Sequence, residues 1–274
     1  MRPERANIAA PELPGRLPWL GVERRPRMVE LSAAGPVLVH FFDFAQLNSV
    51  RALPYAVAWN ERYRDAGLTT LGIHSPRFSF TAERAALAAA LKRLGVRHPV
   101  AVDSGYAVWH DYGCKGWPSL FLWGQRGALR WFHFGEGEYA ATEEAIAEEL
   151  EALDPSFEPP RAVEPLRPSD APGALVAPPT EEVFPGGSPS EPWRAASAAD
   201  GLELTYEAGG AHASVSGTGE LSVTLDGGEG WRVEVKAPGL YDLAVHPRHQ
   251  RHELRLGASP GVELYSVSFS AGVP

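Results

Sequence analysis

Between residues 154 and 192 the chain carries eleven prolines among alanine, glutamate and serine. No packed helix or sheet interior tolerates that density, because each proline removes a backbone donor and fixes φ. Such a composition buries too little apolar area to offset chain entropy, and reads as a linker or as a strap laid over a surface. The 274-residue chain therefore has to fold as two separately patterned parts. The expected division is a lead-in over 1–27, an α/β domain over 28–153, the proline-rich linker over 154–192 and an all-β domain over 193–274.

The first part alternates strand and helix signals. Residues 36–42 form a short apolar, β-branched and aromatic run, as in a central strand buried on both faces. A helix is expected over 49–66, with Leu53, Val57 and Tyr63 on its apolar face, Pro54 as a kink and Gly67 as its C-terminal cap. The pattern continues with a strand at 68–74, an alanine-rich helix at 81–94, a strand at 99–102 and a helical turn at 106–112. A hairpin of 119–123 with 129–134 and a helix over 139–153 complete an α/β order. Beyond Trp193 the texture changes to period-two runs at 202–206, 213–216, 220–225, 231–235, 239–245, 252–256 and 262–269. Short alternating strands with turn residues between them predict an all-β sandwich or jelly roll.

The segment Phe41-Phe42-Asp43-Phe44-Ala45-Gln46-Leu47-Asn48-Ser49, continued by Arg51, Leu53, Pro54 and Tyr55, resembles the active-site segment of thioredoxin-fold oxidoreductases. The resemblance is to the TlpA-like and DipZ-like branch, in the superfamily of alkyl hydroperoxide reductase and thiol-specific antioxidant proteins. In that branch the segment holds Cys-x-x-Cys; here the two thiol positions read Gln46 and Ser49. Gly113-Cys114-Lys115-Gly116-Trp117-Pro118-Ser119 resembles the family's cis-proline loop, which implies a cis bond at Pro118 and places Trp117 over the site. The piece 10–15 with Trp19 and Leu20 is similar to the family's lead-in, expected to pack along the sheet. The words at 74–78 and 133–139 are also DipZ-like. The tail, in Val223-Thr224-Leu225-Asp226-Gly227, Leu240-Tyr241-Asp242-Leu243 and 260–269, resembles the carbohydrate-binding-module-like β-sandwich that follows the thioredoxin-like domain there. The resemblance implies a thioredoxin fold, with a central mixed sheet flanked by helices, plus a C-terminal β-sandwich.

Dithiol exchange needs a thiolate to attack a disulfide and a second thiol to resolve the intermediate. An amide and a hydroxyl do neither, so the first expectation is a redox-silent protein that keeps the fold for binding. Phe42, Asn48, Trp117 and Pro118 would then face a protein or peptide, whose extended backbone pairs beside the proline. The plainer alternative is that Gln46 and Ser49 cap the helix and that Trp117 packs in the core. Cys114, the single thiol, supports a second reading as a monothiol oxidoreductase or antioxidant protein if Lys115 favours its thiolate; against it stands a small buried hydrophobe. A third reading is glycan binding in the tail, with Trp193, Tyr206, Trp231, Tyr241 and Tyr265 as stacking platforms. Glu136 has no partner carboxylate in the sequence pattern to make it an acid or base. The imidazoles in the run from His246 through His249 to His252 read as a solvated hairpin turn.

The net charge of −9 and pI near 5.5 argue against nucleic acid as a partner, since phosphate binding rests on clustered Lys and Arg. A single cysteine excludes an intrachain disulfide and any Cys-based zinc cluster. No cofactor and no metal are expected. No stretch reaches about 18 uninterrupted apolar residues, and the first ten residues lack a signal-peptide core. The default expectation is a cytoplasmic protein without a membrane span, with export left open.

Overall fold

The computed structural model describes residues 1–3, 7–197 and 200–274. The chain forms two compact units. One comprises Met1–Asp43, Asn48–Pro76 and Leu91–Pro165; the other comprises Phe44–Leu47, Arg77–Ala90 and Leu166–Pro274.

The first unit is built on a mixed sheet of β1 (Trp19–Leu20), β2 (Val37–Phe42), β3 (Thr69–His74), β4 (Val100–Val102), β5 (Ser119–Trp123) and β6 (Leu129–Phe134). Their order is β1-β4-β3-β2-β5-β6. Strand β2 runs parallel to β3 and antiparallel to β5, and all six of its residues are buried. Because successive side chains leave opposite faces of a strand, Val37, Val39 and Phe41 join Leu71, Ile73 and Phe121 in one apolar cluster. Leu38 joins Leu120 and Leu122 in another, with Tyr55 and Trp59 of α2 (Leu47–Tyr63) and Ile146 and Leu150 of α5 (Tyr139–Leu153). The short α4 (Ala107–Asp111) falls where the sequence places it, as does α3 (Arg84–Arg93), most of which belongs to the second unit.

Helix α1 (Met28–Ala34) lies outside the expected elements. Its N-terminal amides are satisfied from a distance, since the Glu12 carboxylate accepts from the N–H of Met28 at 2.8 Å and of Val29 at 3.3 Å. A capping residue that far upstream leaves no local N-cap signal to read. The lead-in does pack along the sheet, with Trp19 and Leu20 paired to Ala101 and Val100.

The second unit holds a five-stranded, all-antiparallel sheet of β7 (Leu202–Gly217), β8 (Gly219–Leu225), β9 (Trp231–Val235), β10 (Gly239–Ala258) and β11 (Val262–Ser270), in the order β11-β7-β10-β8-β9. The runs expected as separate strands at 202–206 and 213–216 are one strand, as are those at 239–245 and 252–256. The His246 to His252 segment is therefore not a hairpin turn but the middle of β10. Its polar residues are accommodated by register shifts against β7, between Asp242 and Ala244 and between Val245 and Gln250, where extra residues bend a strand without ending it. Strand β8 pairs with the end of β10 only, and β11 with the end of β7 only. One apolar cluster nevertheless collects Val223, Leu254 and Leu256 from one half and Val215, Leu264 and Val267 from the other. Long strands that bend at bulges and serve both halves gather these residues into one core on a single hydrogen-bonded sheet. The proline-rich residues from Leu166 onward lie along this sheet through bridges of Ala177 to Gly272, Val183 to Val267 and Trp193 to Leu264. No helix among the described residues is long and apolar enough to cross a membrane.

Three imidazoles are buried inside the first unit, His74 and the pair His40 and His98. His40 on β2 stands opposite Gly72, and a Cβ at Gly72 would lie 3.4 Å from His98 Nε2 and 3.0 Å from both Phe42 and Val100, so the bare glycine makes room for the second ring. Both residues are buried. Burial pushes His40 down to about 3, with His98 adding to the effect, and pushes His98 down to about 4. The unfolded chain, with imidazoles near 6.5, binds more protons than the folded one between these values, so stability rises with pH there. It is expected to fall by several kcal/mol as pH drops from about 6.5 toward 4. In His40→Leu, urea midpoints recorded across that range should show a distinctly shallower pH slope than in the natural chain.

Candidate functional site

Strand β2 delivers the chain to Asp43 at the end of the central sheet, where α2 begins a few residues on. Ser49, at the second thiol position, is fully buried, and its Oγ accepts the backbone N–H of Asp43 at 3.2 Å. Its hydroxyl thus ties the first turn of α2 to the end of β2. The Asp43 carboxylate is also buried, 4.0 Å from His74 Nε2 at the end of β3, and the His74 ring meets Phe42 edge-on at 5.5 Å. Burial lowers the pKa of His74 while Asp43 opposes the shift. Farther along α2, Arg51 pairs with Glu136 at 2.5 Å in a half-buried position, which gives that carboxylate a structural partner.

The bond between Trp117 and Pro118 is cis. Ser119, the next residue, pairs with Phe41, so Pro118 borders the Phe42 end of β2. Its carbonyl accepts from Gly135 N–H at 2.8 Å. Trp117 does not simply overhang: its Nε1–H donates to Ser75 O at 2.8 Å and its ring lies 4.4 Å from Trp109. Asp103 secures this corner by accepting from Val108 N–H at 3.1 Å, Trp109 N–H at 2.9 Å and Ser75 Oγ at 3.2 Å. The structure thus gathers Phe42, Ser49 and Pro118 at one end of the sheet, with Asn48 and Trp117 half-buried and Phe42 and Pro118 buried.

Gln46, at the first thiol position, belongs to the second unit with Phe44, Ala45 and Leu47, and is only 6% exposed. Within that unit the turn is tied to β7, where Ser214 Oγ donates to Ala45 O at 2.7 Å. Phe44 meets the ring of Phe80 at 6.1 Å, and Phe80 meets Tyr265 at 4.7 Å. The sequence offers Tyr265 only as a candidate stacking platform and gives no signal for Ser214, because these contacts join residues far apart in the chain.

Cys114 lies among Phe41, Trp109 and Tyr112 in the apolar cluster and is 7% exposed. Burial pushes its thiol up to about 12, with the Asp103 charge adding to the rise against a hydrogen bond from Ser119. At neutral pH the thiol is therefore held in its protonated form.

In the tail, Tyr206 and Tyr265 are buried and Trp193 and Tyr241 half-buried against the core, whereas Trp231 is 38% exposed. His246 and His252 stack face to face at 3.8 Å, a geometry in which the ring nitrogens do not converge on one ion. His246 Nε2 is 2.7 Å from Tyr206 Oη, and His252 Nδ1 is 2.7 Å from Asp226 Oδ2. Among the described residues, no group of three or more His, Cys, Asp or Glu is arranged to hold a metal. A constellation absent from the sequence reading spans three adjacent strands: His212 Nδ1 lies 2.7 Å from Asp242 Oδ1, and its Nε2 lies 3.1 Å from Ser270 Oγ. Those are the distances of a nucleophile–base–acid relay. Burial is inverted, however, because Asp242 is 70% exposed while Ser270 is 4% exposed.

Fold and site together define a thioredoxin-like chain that has one cysteine, no Cys-x-x-Cys and a C-terminal antiparallel sheet. Residues 189–270 match the family model described as the thioredoxin like C-terminal domain. The chain is 27% identical over 95% of its length to Protein DipZ of Mycobacterium tuberculosis (strain CDC 1551 / Oshkosh), and spans 42% of that relative. It is 31% identical to NHL repeat-containing protein 2 of Gallus gallus over 48% of this chain and 18% of that protein. Among solved structures, a thiol-disulfide isomerase from Corynebacterium glutamicum is similar at 22% identity, with a TM-score of 0.44, over 52% of this chain and 96% of that one.

Native Cys114 is expected to resist alkylation by a small thiol reagent up to at least pH 9 and to react at once in urea; rapid native labelling would contradict its burial. Ser214→Ala removes the hydrogen bond to the Ala45 carbonyl and should cost about 0.5–1.5 kcal/mol, read as a lowered urea midpoint at unchanged slope.

Proposed function

We propose that this chain is a redox-silent thioredoxin-fold protein that serves as a binding scaffold. The observation that carries the reading is the fate of the sulfur. Both exchange positions hold side chains that cannot form or resolve a mixed disulfide, and the remaining thiol is buried with its pKa pushed up to about 12. What survives is the frame: the β2 end, the start of α2 and the cis-proline loop. In thioredoxin-like proteins this frame presents backbone to an extended peptide. The parts of it that reach solvent here are Asn48 and Trp117, flanking the buried Phe42 and Pro118. A protein or peptide partner is the occupant this surface suits. The glycan reading has less support, because stacking on sugar rings needs exposed aromatic faces and Trp231 alone of the five candidates offers one.

The test restores the sulfur. Natural protein should show no insulin-disulfide reduction, whereas Gln46→Cys/Ser49→Cys should acquire it, because on this proposal the frame binds an extended peptide. A folded double variant that forms its disulfide and yet remains inactive would overturn the proposal that this surface binds peptide.

A further inference from the structure

The second unit ends its sheet on an open edge. In the order β11-β7-β10-β8-β9, strand β9 is the terminal strand and, among the described residues, pairs with β8 alone. Its sequence is Trp231-Arg232-Val233-Glu234-Val235, with Trp231 exposed, Val233 packed against the core and Val235 buried. An edge of this kind presents unpaired N–H and C=O groups and invites pairing with another strand.

We propose that β9 is a self-association surface on which a second copy of this chain pairs antiparallel, centred on Val233, extending the sheet across a two-fold axis. The charge pattern argues for this occupant. With Val233 opposite itself, Arg232 stands opposite Glu234 of the second copy, the converse pair forms by symmetry, and Trp231 stands beside Val235. Keeping the apolar side continuous requires residues of like parity to face each other, which leaves the neighbouring centres at Arg232 and Glu234. Each of those sets a charge against its own copy, and the centre at Glu234 also sets Lys236 against Arg232. Opposite charges directly across a strand pair stabilise and like charges destabilise, so the strand is self-complementary in one register.

The local ion pairs these residues make do not compete strongly. Arg232 reaches Glu220 at 2.6 Å and Glu234 reaches Lys236 at 3.0 Å, but all four side chains are exposed, and such pairs contribute little. A net charge of −9 opposes association, over a range that physiological salt cuts to about 8 Å. One short strand with one large apolar side chain makes a small interface, so the dimer is weak and grows with protein concentration.

Sedimentation velocity over a concentration series at physiological salt should show a monomer–dimer equilibrium. Arg232→Glu should weaken it roughly tenfold by setting like charges opposite each other twice, and Arg232→Glu/Glu234→Arg should restore it. Val233→Pro, which breaks the regular strand at the axis, should abolish it, with circular dichroism confirming that each variant is folded. A chain that stays monomeric throughout overturns the proposal. So does a dimer indifferent to Arg232→Glu, or a folded charge-swapped variant that fails to recover. None of these outcomes bears on the thioredoxin-like frame, which the insulin assay tests separately.

Discussion

The burial of β2 on both faces is the constraint from which the rest of the first unit follows. Every residue from Val37 to Phe42 is buried, and the strand is clamped between a parallel neighbour and an antiparallel one. Each of its large side chains stabilises the fold by about 1.5–3 kcal/mol through burial. A slip of one residue would exchange the side chains bound for the two clusters, moving His40 into the place of an apolar neighbour. The register is therefore strongly specified. That register brings the cis-proline loop beside Phe42 and starts α2 from a fixed point, so the frame of the site persists without any thiol to use it.

Sulfur chemistry requires a group that is both ionised and reachable, and the two requirements fail together here. Cys114 lies close in sequence to the cis-proline loop, but its side chain joins Phe41 and Tyr112 in the core. There desolvation penalises the thiolate, and Asp103 works in the same direction as burial. The exchange positions have been put to a different use: Ser49 accepts a backbone hydrogen bond in the interior, and Gln46 sits in a turn whose carbonyl at Ala45 is claimed by Ser214. The bond to Ser49 satisfies a buried polar group, and so favours retaining a hydroxyl at that position.

The local signals along the chain were sufficient wherever an element is built from neighbours in sequence. Helix α5 spans the residues expected, and the hairpin of β5 and β6 follows from its alternating runs and glycine-rich turn. The cis-proline loop was legible because its motif is contiguous. What escaped depends on residues brought from far away. Helix α1 is capped from Glu12. The division of β7 and β10 into shorter strands was a natural reading, because glycine, proline and histidine interrupt the alternation, yet β7 keeps partners in β10 and β11 through its break, and β10 pairs with β7 on either side of its own. Tertiary partners outweigh local propensity most easily in sheets, where stability resides in cross-strand neighbours. The ties of Gln46's turn to Ser214 and of Phe80 to Tyr265 were invisible for the same reason.

The relay of Asp242, His212 and Ser270 shows why distance alone does not define a site. In a hydrolytic relay the nucleophile faces substrate and the carboxylate is shielded behind the imidazole. Here Asp242 faces solvent and Ser270 faces inward. The space beside Ser270 is closed as well, since a single Cβ added at Gly210 would come within 3.0 Å of Ser270 Oγ, 3.2 Å of His212 Nε2 and 2.9 Å of Ala244 O. An acyl group is far larger than one methyl carbon, so the hydroxyl is closed to an ester or amide from the Gly210 side. The arrangement is a cross-strand tie that satisfies a buried imidazole at both ring nitrogens, on the side of the sheet away from β9 in strand order. It holds β11, β7 and β10 together where the register of β10 first breaks, and it leaves β9 as the edge at which the sheet has backbone pairing still to offer.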